Sequence, residues 1–131
     1  MMFCKRGGKM SDMKLYEGYY SYDGTFKQHK DGTSSLTVRA FTYGGKYYHP
    51  KATINFIIRD EPEGWISIRD DSIGVLEGGK DLEEALGNAF MMTVAQYEDL
   101  AFTDEKLTKD AQKTRERFQT WEVHAIDSKA Q

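Results

Sequence analysis

The sequence predicts an α+β fold, a mainly antiparallel sheet of about four strands followed by two helices packed on it. Two observations carry that prediction. Runs rich in aromatic and β-branched residues fill the first half, punctuated by the turn signals Asp23-Gly24, Asp31-Gly32, Gly44-Gly45 and Glu61-Pro62-Glu63-Gly64. After Gly79 the apolar residues change from strand-like alternation to helical spacing.

Taken in order, strands are expected near 14–22, 35–43, 47–59 and 65–69, joined as antiparallel hairpins. Gly78-Gly79 then turns the chain into a helix. Leu82, Ala85, Leu86, Ala89, Phe90, Val94, Tyr97 and Ala101 form one apolar stripe at i, i+3, i+4 spacing, suited to lie on a sheet. Asp81 stands at the N-cap position, and Glu84 three residues later completes a capping box. A second helix is expected from Thr103 or Asp104, with Leu107, Ala111, Thr114, Phe118 and Trp121 as its apolar stripe. Residues 121–126 fit either the end of that helix or a short final strand. There is no internal repeat and no low-complexity segment.

The chain has 131 residues. That is the size of one domain, which buries roughly 65–70% of its unfolded surface. The domain is expected to span 10–126, with a flexible tail at 127–131. The leader MMFCKRGGK is too short and too polar for a signal peptide. Arg6-Gly7-Gly8 can be encoded by a purine-rich run resembling a ribosome-binding site, so translation is expected to begin at Met10, with Cys4 outside the natural product. Cys4 is the single cysteine, which excludes an intrachain disulfide and a cysteine zinc cluster. A cytoplasmic product is expected. No apolar run approaches the roughly 20 residues of a membrane span. The net charge of −3 argues against attraction of the whole surface to nucleic acid, while leaving a local basic face open.

The stretch SIGVLEGGKD, 72–81, is one residue short of the phosphate-binding loop G-x-x-x-x-G-K-[ST]. Asp81 occupies the hydroxyl position. Its carboxylate repels phosphate and, as an N-cap, takes the amides that an anion needs. Phosphate-loop enzymes also alternate strand and helix around a parallel sheet, unlike this chain. Here the glycines serve as a turn into a capped helix.

The segment GWISIRDDSIGVLEGGKDLEEALGNA, 64–89, resembles the core of HicB-type antitoxins, in which a strand, a D-x-x-G turn and a glycine lead into an L-E-E-A-L-x-N-A helix. The matching positions are Asp71, Gly74, Gly79, Leu82, Glu83, Glu84, Ala85, Leu86, Asn88 and Ala89. Asp70 and Ile73 stand where that family's turn carries prolines. The resemblance covers about a fifth of the chain. It implies a small sheet-plus-helix domain that binds a toxin, and in that family usually a DNA-binding segment. Nothing after Thr103 resembles a helix-turn-helix, which argues against operator binding.

If Gly44-Gly45-Lys46 is a three-residue hairpin loop with a bulge, Leu36, Val38, Ala40, Ala52, Ile54, Phe56 and Ile58 share the core face. The other face then carries Arg39, Phe41, Tyr43, Tyr47, His49 and Lys51, with Asn55. Aromatic and basic residues interleaved in this way can stack unpaired bases. The plainer expectation is that a helix, or the first strand with Tyr16, Tyr20 and Tyr22, covers this face and leaves the hydroxyls at its margin. A two-residue turn would rearrange the faces.

No catalytic set emerges. His29, His49 and His124 are far apart in sequence, without metal-ligand spacing. Asp70-Asp71 and Glu83-Glu84 are adjacent pairs whose side chains diverge, which is wrong for acid–base partners. Ser34, Ser35, Ser67 and Ser72 lack a nucleophile motif. The charge run KLTKDAQKTRER reads as a solvated helix face.

The expectation is a small non-catalytic accessory protein of phage or mobile-element type, binding no cofactor or metal. It would neutralise or inhibit a protein partner by direct contact, using Arg39, Phe41, Tyr43, Tyr47, His49 and Lys51. The alternative is a single-stranded nucleic-acid binder using the same face. An exposed edge strand would support a homodimer.

Overall fold

The computed structural model describes residues 20–126. The leader 1–9, the start at Met10, Cys4, the first part of the strand expected at 14–22 with its Tyr16, and the tail 127–131 lie outside the described residues. The element order is β1 (Tyr20–Gln28), β2 (Ser34–Tyr43), β3 (Lys46–His49), β4 (Ile54–Asp60), β5 (Ile66–Asp70), β6 (Val75–Gly79), α1 (Leu82–Leu100), α2 (Lys109–Gln119) and β7 (Glu122–Ala125). All pairings among the described residues are antiparallel. The fold is therefore α+β, and the described residues form a seven-stranded sheet instead of about four strands.

Each difference from expectation has a local cause. The first strand extends to Gln28, because Asp23-Gly24 lies inside β1 and makes no turn. The run expected at 47–59 is broken into β3 and β4 around Pro50, which has no N–H to give to a ladder. The Val75-Leu76 end of β6 carries its strand signal, while Gly78 and Gly79 dilute it. Residues 122–125 form the strand β7.

Two edges of β2 organise the sheet. β1 runs along one edge from Ser34 to Tyr43. Along the other edge β4 pairs with 34–38 and β3 with 41–43, so β3 and β4 lie end to end. The β1–β2 connection is held by Asp31, whose Oδ1 accepts from the Thr33 amide at 3.0 Å and its hydroxyl at 2.7 Å. These bonds hold the Asp31 carboxyl below its ordinary pKa. Gly32 beside it has φ +90°.

Register explains which side chains face inward. On β1, Asp23 pairs with Ala40 and Gly24 with Val38, leaving Arg39 as an extra residue in β2, a β-bulge. Beyond it the alternation reverses, so Leu36 and Val38 before the bulge and Phe41 after it all point inward. The hairpin turn is a correction: Tyr43 pairs with Lys46, leaving two loop residues, Gly44 and Gly45, at φ +59° and +82°. Both angles are positive, as the commonest tight hairpin turn requires.

Leu36, Val38, Ile54, Phe56 and Ile58 are nonetheless buried on the helix side, whereas Ala40, expected there too, pairs with Asp23 on the outward side and is buried in that position. Between the β3 and β4 pairings, β2 advances through 39–40 while the opposite chain advances through 49–53. That offset restores the same parity on β4 that the longer turn would have produced. Ala52, expected inside, is exposed within the 49–53 connection.

Helix α1 starts as its sequence indicates. The Asp81 carboxylate accepts from the Glu84 amide at 2.8 Å, and the Glu84 carboxylate accepts from the Lys80 amide at 2.8 Å. Its apolar stripe enters the concave side of the sheet. The Phe90 ring lies 4.8 Å from Phe41, 5.4 Å from Phe56, 5.3 Å from Tyr20 and 5.8 Å from Tyr22. Near β1, the Tyr20 hydroxyl donates to the Glu83 carbonyl at 2.9 Å. Near β6, Asn88 Nδ2 donates to the Gly78 carbonyl at 2.8 Å and Gln96 Nε2 to the Gly74 carbonyl at 3.3 Å. The sheet curls so that strands near both of its edges reach the same helix.

The second helix begins later than Thr103 or Asp104. Thr108 is its N-cap, accepting from the Ala111 amide, while the Thr103 hydroxyl closes a separate turn with the Glu105 amide. α2 packs on α1, and its Phe118 joins Tyr97, Trp121 and Tyr48 in a second aromatic cluster. Tyr97 stacks on Trp121 at 5.6 Å. Asp70 is a buried acid at 4% exposure. Its carboxylate accepts from the Ser72 amide at 2.8 Å, the Ser72 hydroxyl at 2.6 Å and the Asn55 amide at 3.3 Å. It thereby ties the β5–β6 turn to the start of β4.

Phe90→Ala should cost about 3–5 kcal/mol, because it empties the space that four aromatic rings share. Gly79→Ala should also destabilise, since its Cβ would sit 2.5 Å from the Ala85 amide nitrogen, a backbone atom. Chemical denaturation measures both.

Burial, with the negative charge of Glu98 adding to it, pushes the Tyr48 hydroxyl up to about 12. Burial also raises Tyr97. The folded state thus disfavours the tyrosinate, so this contribution is complete below the unfolded pKa of about 10 and is lost as pH rises toward 12. In wild type, stability should fall across that window; in Tyr48→Phe the fall should be shallower, as measured by denaturation at stepped alkaline pH.

Candidate functional site

α1 packs against the concave side of the sheet, and the convex side carries mainly polar residues. Ser35, Thr37, Asn55, Arg59, Ser67 and Arg69 point out on this side, as expected of an antiparallel sheet with one solvated face. The residues predicted to form an open aromatic and basic platform do not stay together on it.

Arg39 sits at the bulge, with its guanidinium donating to Asp23 Oδ1 at 3.0 Å and Thr25 Oγ1 at 3.1 Å. Phe41 is 1% exposed and stacks on Tyr48 at 4.8 Å on the helix side. Tyr43 is half-buried and packs against the same core. Lys51 is exposed in the 49–53 connection. Tyr47 and His49 remain on the convex side. The extra residue at Arg39, followed by a two-residue turn, is what separates Phe41 and Tyr43 from them.

β7 brings a residue that sequence spacing set aside. Tyr47 lies opposite His124 and His49 opposite Glu122. The Tyr47 ring is 5.2 Å from His124 and 6.1 Å from His49. The signal that finds His124 is the alternation of EVHA, provided 122–125 is read as a strand beside β3. Among the described residues no group of three or more His, Cys, Asp or Glu side chains is placed to hold a metal ion.

At the opposite end of the convex side is an apolar pair that sequence reasoning did not single out. Trp65 shares the outward parity of Ser67, and its ring lies where a Cβ on Gly78 would meet it at 2.5 Å. Leu76, outward on β6 opposite Arg69, is 69% exposed, and Trp65 is 40% exposed. Reading VLEGG as an edge strand would have revealed Leu76, because alternation turns Val75 inward and Leu76 outward.

The arginines of this side are each beside an acid. Arg39 lies 3.0 Å from Asp23, Arg59 Nε 3.9 Å from Glu61, and Arg69 Nε 3.5 Å from Asp71. These exposed pairs add little stability, but they cancel the field that a phosphate backbone would follow. An open cleft of about 450 Å³ between the β5–β6 turn and α2 is lined by Asp71, Ser72, Asp110, Lys113, Thr114 and Arg117. Its polar lining of mixed charge has none of the apolar enclosure usual for a small-molecule site.

The glycine-loop residues have local structural roles. Gly74 adopts φ +73° in the β5–β6 turn, Gly79 lets the chain pass close to Ala85, and Asn88 caps the Gly78 carbonyl. The Asp81 carboxylate occupies the Glu84 amide that a phosphate would need. No helix among the described residues is long and apolar enough to cross a membrane. No protein family, curated protein or solved structure matches the chain.

Two substitutions separate the two sides of the sheet. Phe41→Ala should cost about 3–5 kcal/mol, whereas Tyr47→Ala, on the convex side, should fall within about 0.5–1 kcal/mol. Thermal denaturation of the two variants side by side is the check. Equal losses would contradict the opposite placement of the two rings.

Proposed function

We propose that this chain is a small, non-catalytic accessory protein that acts by docking on a protein partner and inhibiting or neutralising it. The convex side of the sheet is its contact surface. The observation that carries this reading is the exposed pair Leu76 and Trp65 on a mainly polar face. An aliphatic and an indole side chain held on paired strands offer apolar contact area at little entropic cost, the kind of anchor on which protein interfaces depend. Tyr47, His49 and His124 extend the surface at its other end. The likeness of 64–89 to a HicB-type antitoxin core agrees in kind, since such a domain binds a toxin protein, and a phage or mobile-element origin would suit that role.

The nucleic-acid alternative is less well supported. Of the aromatic residues assigned to the stacking platform, Phe41 and Tyr43 turn toward the helix, and the nearby arginines are paired with acids. Stacking of successive bases needs several open rings and unpaired positive charge.

Affinity capture from host lysate should be run with wild type, Leu76→Asp and Trp65→Ala in parallel. The reading predicts one protein retained by wild type, depleted at least tenfold by each variant, and unaffected by nuclease treatment. Micromolar binding of labelled single-stranded DNA or RNA that weakens with salt and disappears in Tyr47→Ala would contradict it and favour the alternative.

A further inference from the structure

The outer side of α1 faces away from the sheet, and its chemistry differs from that of the convex side. Phe90, Val94, Tyr97 and Ala101 are buried against the rest of the fold. Met91, Ala95 and Glu98 follow one line on the opposite side of the helix, at spacings of four and three. Ala101, the C-cap, keeps helical dihedral angles of φ −61° and ψ −33°, so Phe102 continues that line. Met91 is 45% exposed and Phe102 76%, the most open large apolar side chain among the described residues.

Phe102 is open but firmly held. Gln119 Nε2 donates to the Ala101 carbonyl at 3.0 Å and Arg115 Nη1 to the Thr103 carbonyl at 3.3 Å, so α2 fixes the backbone on both sides of it. Its ring stands edge-on to Tyr97 at 5.7 Å, and Tyr97 is itself stacked on Trp121. An aromatic side chain fixed in this way gives up little freedom when a partner covers it.

The charge beside it is of one sign. α1 carries Glu83, Glu84, Glu98 and Asp99 and no lysine or arginine. The first two suit the positive end of the helix dipole. Glu98 and Asp99 lie in the last turn, where the dipole is negative and an acid destabilises. Both are exposed, and among the described residues neither is in an ion pair. Acids kept where they cost the isolated fold stability are explained when a cation from outside completes them.

We propose that the line of Met91, Ala95 and Phe102 is the docking site for a cationic amphipathic helix of another protein, lying along α1 with its lysines or arginines against Glu98 and Asp99. Ala95, small and midway along, lets the two helix axes approach, and the alternation of four and three suits helices crossing at a shallow angle. The acids turn away nucleic acid and anionic lipid. This surface is on the helix side of the sheet, whereas Leu76 and Trp65 are on its convex side, so the two contacts are tested independently.

The probe is a labelled peptide of leucine and lysine at helical spacing, about 18 residues or five turns long. It is titrated against the full chain by fluorescence anisotropy, beside a scrambled peptide of the same composition and a leucine–glutamate counterpart. Wild type should bind the first peptide at micromolar concentration, more weakly as salt is raised, and the other two about tenfold more weakly or worse. Phe102→Ala and Asp99→Lys should each weaken binding about tenfold or more, while Leu76→Asp leaves it unchanged. Asp99→Lys should also raise the melting temperature, because it puts a base at the negative end of the helix. Circular dichroism checks that the variants are folded. A scrambled peptide that binds as well as the helical one overturns the proposal, and so does a Phe102→Ala chain that binds like wild type. An Asp99→Lys chain that melts below wild type would show that Asp99 serves the fold and remove the argument from charge. Sedimentation of the chain tests the other occupant: self-association that Phe102→Ala abolishes would assign the face to a second copy instead.

Discussion

Phe90 meets four aromatic rings contributed by three strands, and that contact requires the sheet to curl around α1. The curl depends on β2, which carries a partner on each edge along most of its length. Within β2 one residue matters most. Arg39 has no partner on β1, and the bulge it creates strengthens the local twist and turns Phe41 inward. Without that extra residue Phe41 would stand on the convex side, and the Phe90 cluster would lose the ring that joins it to Tyr48 and Trp121.

The same residue shapes the surface available for function. By turning Phe41 and Tyr43 toward the helix, the bulge leaves the convex side polar, with Tyr47, His49 and His124 at one end and Trp65 with Leu76 at the other. A polar face with sparse apolar anchors is suited to selective contact with a folded partner. A row of stacked bases would call for more open rings. The reading as a partner-binding domain thus descends from backbone register, through face assignment, to the chemistry left exposed.

Much of the helical half was legible in the sequence. The stripe from Leu82 to Ala101 and the Asp81–Glu84 box read directly, because helical spacing and capping are local and tertiary contacts did not override them. The sheet was harder. The burial of Leu36, Val38, Ile54, Phe56 and Ile58 followed from alternation, although the turn assumed for it was one residue too long; the longer path through 49–53 compensated. The candidate site failed where no such compensation exists, between Arg39 and Tyr47, because a bulge leaves no mark in a hydrophobic pattern. Leu76, and the place of His124 beside Tyr47, escaped notice for a related reason. Each lies on a short edge strand, one weakened by glycines and one only four residues long.

The most direct test of the Arg39 bulge is a set of aromatic proton contacts measured by nuclear Overhauser spectroscopy on the folded chain. The account predicts contacts from the Phe41 ring to the rings of Phe90, Tyr48 and Trp121, together with contacts between Tyr47 and His124. A Phe41 ring that instead contacts Tyr47 or His124, with none to Phe90, would contradict the register on which both the core and the proposed surface rest.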